Sequence, residues 1–229
     1  MTVNAAKGRP EQVGPPRGAA TTRSEGAWGL VQARAGPAQR AARTLWLVRH
    51  APPLIPPGVC YGALDVAADP HATQSAAASL AAALPRHAAL YASTLQRCEQ
   101  LAKLVTRLRP DLIIKHDGRL REMDFGAWEG RAWDAIGRAA LAAWTDDFAH
   151  HAPGGGESVS GFMLRVAAAF DDTRAALAPG RAAAWITHAG VIRAAGLIAQ
   201  GVRCVASAAD WPRDSSPGFG AVRVLTLAD

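Results

Sequence analysis

Five short apolar runs, separated by stretches with helical patterning, constrain this sequence more than any other feature. The first, residues 44–50, is a continuous apolar run that stops on two cationic side chains, Arg49 and His50. A strand apolar on both faces is buried on both faces, which suits a parallel sheet between helical layers. Residues 88–91, 112–114, 183–187 and 221–227 repeat the pattern. Between them the sequence predicts a helix opened by Asp69-Pro70 and running to about Leu84, with a side-chain cap followed by proline at the first helical position. A second follows Ser93 as its cap, with Leu95, Cys98, Leu101, Ala102, Val105 and Leu108 on one apolar stripe. Further helical patterns cover 132–149, 158–178 behind Ser158, and 190–200, with a Pro-Gly-Gly-Gly break at 153–156. Strands alternating with helices imply an α/β fold: a three-layer α/β/α sandwich with a mostly parallel central sheet.

Residues 1–42 mix Gly, Pro, Ala, Arg and Thr without sustained periodicity and are expected to form a disordered basic tail ahead of a domain at 43–229. That tail holds six basic residues against Glu11 and Glu25, so most of the net charge of +6 belongs to it. A basic tail is not a basic groove, and nucleic-acid binding is not supported. The N-terminus lacks the apolar core of a secretory signal, and no apolar run approaches the roughly 18 residues of a membrane span. The three cysteines, an odd number without a paired spacing, exclude a disulfide scaffold. A cytoplasmic setting without membrane contact is the default.

Ligands of parallel α/β sheets bind at the carboxyl ends of the strands. Three segments fall there: Arg49-His50, the Ser93 to Arg97 turn, and Thr187-His188-Ala189-Gly190. Two arginines and two histidines then converge on one edge, beside the N–H groups of helix N-termini. Such a set suits a phosphate dianion: arginines bind it bidentately, and a neutral imidazole can attack phosphorus. A proton donor for the departing oxygen is also needed, and Glu122 is best placed, with Asp124 and Glu129 in reserve. Glu129 itself reads better as a loop stabiliser. A metal site made from His50, His188, Glu122 and Asp124 lacks tight ligand spacing, and neighbouring arginines repel a cation. The seven tryptophans read mainly as core.

Together, Leu47-Val48-Arg49-His50, Ser93-x-x-Gln96-Arg97, Leu120-x-Glu122, Gly126-x-Trp128-Glu129-Gly130, Gly156-Glu157-Ser158 and Thr187-His188-x-Gly190-Val191-x-Arg193 resemble the histidine phosphatase (phosphoglycerate mutase-like) superfamily. The resemblance implies that His50 is the phosphorylated nucleophile and that Arg49, Arg97 and His188 hold the phosphoryl group. By the same resemblance Glu122 is the acid and then the base for water, and the Pro153 loop lines the entrance. After the nucleophile the family continues with glycine, whereas this chain has Ala51-Pro52-Pro53. The proline-rich segment ending in Cys60-Tyr61-Gly62-x-x-Asp65-Val66 resembles α-ribazole phosphatases of cobalamin biosynthesis. Substrate contacts are accordingly expected from Arg49, Tyr61, Gly62, Arg97, Ala189 and Gly190. The implied reaction is metal-independent hydrolysis of a small phosphomonoester, with no cofactor. The rivals are a mutase-type phosphotransferase, for which the chain between Gly130 and Pro153 leaves little room, and a non-catalytic module that binds a phosphorylated ligand. The expected partner is the small phosphorylated substrate, and a homodimer stays open.

Overall fold

The computed structural model describes residues 42–212 and 215–227. Apart from Ala42, the tail expectation for 1–42 lies outside the described residues. The fold is a mixed α/β sandwich around one five-stranded sheet, ordered β3-β2-β4-β1-β5. Strands β1 (Arg43–Arg49), β2 (Ala89–Ala92), β3 (Ile114–His116) and β4 (Ala182–Thr187) run parallel, and β5 (Val222–Leu227) closes the edge antiparallel to β1.

Alternation along each strand divides the core into two layers. Leu45 and Leu47 of β1, with Ala183 and Trp185 of β4, pack beneath helices α4 (Val159–Ala176) and α5 (Ala189–Ala199). Val48, Leu90, Ala184 and Ile186 point the other way, under α1 (Pro70–Ala83) and α2 (Gln96–Leu108). Every residue of β4 is buried, because it is central in the sheet and covered on both sides. Trp185 is the largest of these, and its indole N–H donates to the Thr173 hydroxyl at 3.2 Å. Truncating such a side chain to alanine costs about 3–5 kcal/mol.

The caps at Asp69 and Ser158 form as the sequence implies: Asp69 accepts from the Ala72 N–H at 2.7 Å, and Ser158 from Gly161 at 3.2 Å. Three details differ. The third strand starts two residues late, because Leu112 turns inward to the core while Ile113 is left 78% exposed. Leu108, at the end of the α2 stripe, is also exposed. The helical pattern at 132–149 is interrupted. A 3₁₀ turn, Trp133–Ala135, gives way to an extended Ile136 that buries against Cys60 and Trp128, and α3 (Arg138–Asp146) restarts behind Gly137. No helix among the described residues is long and apolar enough to cross a membrane.

Candidate active site

The sheet register brings the predicted segments together. Arg49 lies opposite Thr187, and Ala92 opposite Ile186, so the first residues beyond β1, β4 and β2 emerge side by side. Two backbone bonds fix the exits: His50 N–H donates to Thr187 O at 3.1 Å, and Ser93 N–H to Ile186 O at 3.0 Å. His50 and His188 consequently face each other with ring centroids 5.1 Å apart.

Both imidazoles are buried, and both are held neutral. For His50, burial and the charges of Arg97 and Arg49 outweigh a favourable backbone hydrogen bond and lower the pKa to about 3. His188 is pushed well below its ordinary value by burial first and by Arg97 next. The tautomers follow from the partners. A carbonyl only accepts, so His50 Nδ1 carries the proton, donated to Ala51 O at 2.7 Å, and Nε2 keeps its lone pair. An arginine Nε only donates, so the Arg97 contact at 3.2 Å makes His188 Nδ1 the acceptor. His188 Nε2–H then donates to Ser93 Oγ at 2.8 Å.

Arg97 is wholly buried, and burial lowers its pKa. Its terminal nitrogens donate to Leu64 O (2.8 Å) and Gly62 O (2.6 Å). Arg49 reaches Pro217 O at 3.1 Å and lies over the ring of Phe219, 3.9 Å from its centroid. The Glu122 carboxyl group accepts from the Gly190 N–H (2.9 Å) at the start of α5 and from Met123 N–H (3.1 Å). A Cβ at Gly190 would collide with that carboxyl group and displace it, so the glycine leaves Glu122 room for this position. Behind Glu122, Arg165 pairs with Glu157 and donates to the carbonyls of Arg119, Arg121 and Glu122, fixing the loop that carries Glu122.

One cavity of about 410 Å³ is lined by Arg49, His50, Tyr61, Arg97, Glu122, Ala189 and Gly190. Gly62 and His188 are in the cluster but not on that wall. Gly62 supplies a carbonyl to Arg97, and a Cβ there would strike Met123 O, so it anchors Arg97 rather than lining the site. Of the three candidate acids, Glu122 alone lines this cavity. Glu129 accepts four backbone N–H groups, from Gly62, Ala63, Leu64 and Phe125, which is the loop-stabilising part expected of it. Asp124, Gly156 and Glu157 border a separate, more open depression that shares Glu122, and no residue of the Pro153 loop lines the His50 cavity. Cys60 is buried and its thiol is pushed up to about 12, leaving no thiolate at neutral pH.

The sequence reading missed two sets of residues. Ser93, expected as a helix cap, is the partner of His188; the cap position of α2 belongs to Leu95. Much of the rest of the cavity wall is aromatic, formed by Phe125, Trp133, Trp144, Phe148, Phe162 and Trp211. Three of the seven tryptophans therefore face a cavity instead of acting purely as core.

This fold is that of the phosphoglycerate mutase-like α/β enzymes. The sequence profile of the histidine phosphatase superfamily (branch 1) matches residues 45–206, and the chain belongs to that superfamily. It is a phosphoric monoester hydrolase. Similar solved structures include mycobacterial glucosyl-3-phosphoglycerate phosphatase, 26% identical over 80% of this chain and 89% of that one, with a TM-score of 0.67. The same mycobacterial enzyme in complex with VO3 is 27% identical over 81% and 93% of the two chains, again with a TM-score of 0.67. The protein TTHB049 from Thermus thermophilus is 29% identical over 80% and 92%, with a TM-score of 0.58. A search of curated proteins found no match.

Proposed function

We propose that this enzyme hydrolyses a small phosphomonoester through a phosphohistidine on His50, with α-ribazole 5′-phosphate as its substrate. The observation that carries the reaction is the His50 tautomer: with Nδ1–H committed to Ala51 O, Nε2 presents a lone pair into a cavity flanked by two arginines. Nε2 attacks phosphorus, the ester P–O bond breaks, and the leaving oxygen takes a proton from Glu122. Arg49 and Arg97 balance the charge on the equatorial oxygens. His188 orients Arg97 through the Nε contact. Glu122, now a carboxylate, takes a proton from water as the water attacks the phosphohistidine. Inorganic phosphate leaves, and both residues return to their starting states. The charge comes from guanidinium groups, so no step calls for a metal or cofactor. The substrate is supported by the proline-rich Cys60-Tyr61-Gly62 segment, whose Tyr61 lines the cavity.

A second reading, a glucosyl-phosphoglycerate ester, is favoured by likeness to the mycobacterial phosphatase. One experiment separates the two: kcat/KM across a panel holding α-ribazole 5′-phosphate, glucosyl-3-phosphoglycerate and 3-phosphoglycerate, with release of inorganic phosphate as the readout. The proposal expects α-ribazole 5′-phosphate to lead by at least tenfold. Preference for either phosphoglycerate compound, or transfer of phosphate to a second substrate instead of water, overturns it.

A further inference from the structure

The cavity is far larger than a phosphate needs, and its remaining wall has one dominant chemistry. Three of the chain's seven tryptophans and three of its five phenylalanines line it. Their rings form a continuous series of contacts. Trp133 meets Phe125 at 5.5 Å, Phe125 meets Trp144 at 5.8 Å, and Trp144 meets Phe148 at 5.6 Å. Trp211 then touches both Phe148 and Phe162 at 6.3 Å. Most of these pairs are edge-to-face, which fixes each ring's plane through its neighbours and leaves a rigid wall. Phe148 and Phe162 are buried, while Phe125, Trp133, Trp144 and Trp211 stay partly open.

We infer that this wall is a binding subsite for the leaving group and that it selects phosphomonoesters of alcohols carrying a planar aromatic ring system. The inference rests on the proposed hydrolysis at His50, which puts the phosphate at the Arg49–Arg97 end and the alcohol against the rings. A carbohydrate is the rival occupant, since sugars also pack on tryptophan, but a sugar must find partners for several hydroxyls. Beyond the phosphate end, the polar groups of the lining are the Thr145 hydroxyl, which already donates to Ala142 O at 3.0 Å, the Arg193 guanidinium and the indole N–H groups of Trp133, Trp144 and Trp211, nearly all of them donors. Sugar hydroxyls buried there find few acceptors for their protons, which is disfavoured. An aromatic ring system loses nothing on the same surface and stacks on it.

The test compares esters of primary alcohols whose chemistry at phosphorus is alike: 2-(2-naphthyl)ethyl phosphate, ethyl phosphate and glucose 6-phosphate. The expected result is a kcat/KM at least tenfold higher for the naphthyl ester than for either of the others. Trp144→Leu and Trp211→Leu are each expected to lower the naphthyl-to-ethyl ratio at least fivefold, mostly through KM. Because the ratio is internal to each variant, partial loss of folded protein does not imitate the effect. A preference for glucose 6-phosphate, or an unaltered ratio in both variants, overturns the subsite. If none of the esters is hydrolysed, the hydrolase reading falls by itself, and calorimetric titration decides the subsite. There 2-(2-naphthyl)ethylphosphonate is expected to bind at least tenfold more tightly than ethylphosphonate, and equal affinities overturn the inference.

Discussion

Replacing Glu129 by glutamine tests whether one loop carboxylate holds up the arginine end of the site. The carboxylate accepts the N–H groups of Gly62 (2.8 Å), Ala63 (2.9 Å), Leu64 (3.1 Å) and Phe125 (2.9 Å). Glutamine keeps one acceptor oxygen and turns the other into an NH₂ group, so two backbone N–H groups face a donor. Each stranded donor costs about 1–3 kcal/mol, and partial exposure puts these at the lower end, giving roughly 2–3 kcal/mol in all. A domain of this size loses about 2–4 °C of Tm per kcal/mol, so the expected drop is roughly 4–12 °C. The effect should also reach the chemistry, because Gly62 O and Leu64 O are the carbonyls that hold Arg97. Calorimetric unfolding gives the first quantity, and steady-state kinetics with p-nitrophenyl phosphate gives the second, expected as a several-fold rise in KM. A Tm within about 1 °C of wild type would refute the hydrogen-bond accounting. A lowered Tm with unchanged KM would refute the link to Arg97.

His50→Ala should abolish turnover, and wild type quenched under acid-sparing conditions should carry phosphate on His50; label on another residue would sink the assignment. The unfolded chain protonates His50 near pH 6.5, but the folded site refuses that proton until about pH 3, so stability should fall as pH drops through this window. Denaturant midpoints between pH 7 and 4 should therefore decline more gently in His50→Ala than in wild type, and parallel curves would count against the buried neutral imidazole. Glu122→Gln should slow alkyl phosphates far more than p-nitrophenyl phosphate, whose leaving group needs little protonation. Equal losses would leave Glu122 as a positioning group. Activity should survive EDTA, since Arg49 and Arg97 supply the positive charge; loss reversed by zinc or magnesium would contradict this.

Much of this arrangement is legible in the sequence, because its signals are local. A continuous apolar run ending in Arg49-His50 announces both a buried parallel strand and the polar residues at its carboxyl end. The Thr187-His188 run does the same, and sheet register then does the rest. Glu122 is legible as a type of residue after a strand and loop, while the reason it lines the cavity and Asp124 and Glu129 do not lies in contacts that no spacing reveals. Glu129 is consumed by four amides, and Asp124 turns to the Gly126 N–H instead. The aromatic wall was hidden for a different reason. Its rings come from segments up to 86 positions apart, Phe125 to Trp211, and a cavity-lining tryptophan has the same sequence signature as a core one. The interruption at Ile136 compounded this, since it places Trp133 and Trp144 on separate turns instead of one helical stripe.

The two histidines illustrate how identical side chains in one cluster take different parts. Each is buried, each is neutral, and their rings stand 5.1 Å apart. What separates them is the number of nitrogens the protein occupies. His50 has one tied, to Ala51 O, and so keeps a nucleophilic lone pair. His188 has both engaged, by Arg97 Nε and Ser93 Oγ, and so keeps no free lone pair. A buried guanidinium needs acceptors on every side, and the two carbonyls of Gly62 and Leu64 leave the Nε edge of Arg97 to be satisfied. A carboxylate in that place would satisfy it too, but would cancel the guanidinium's charge. A neutral imidazole accepts the hydrogen bond while leaving the charge intact. Burial of His188 is therefore part of the arrangement: it keeps the ring unprotonated, and only the unprotonated ring can accept from Arg97.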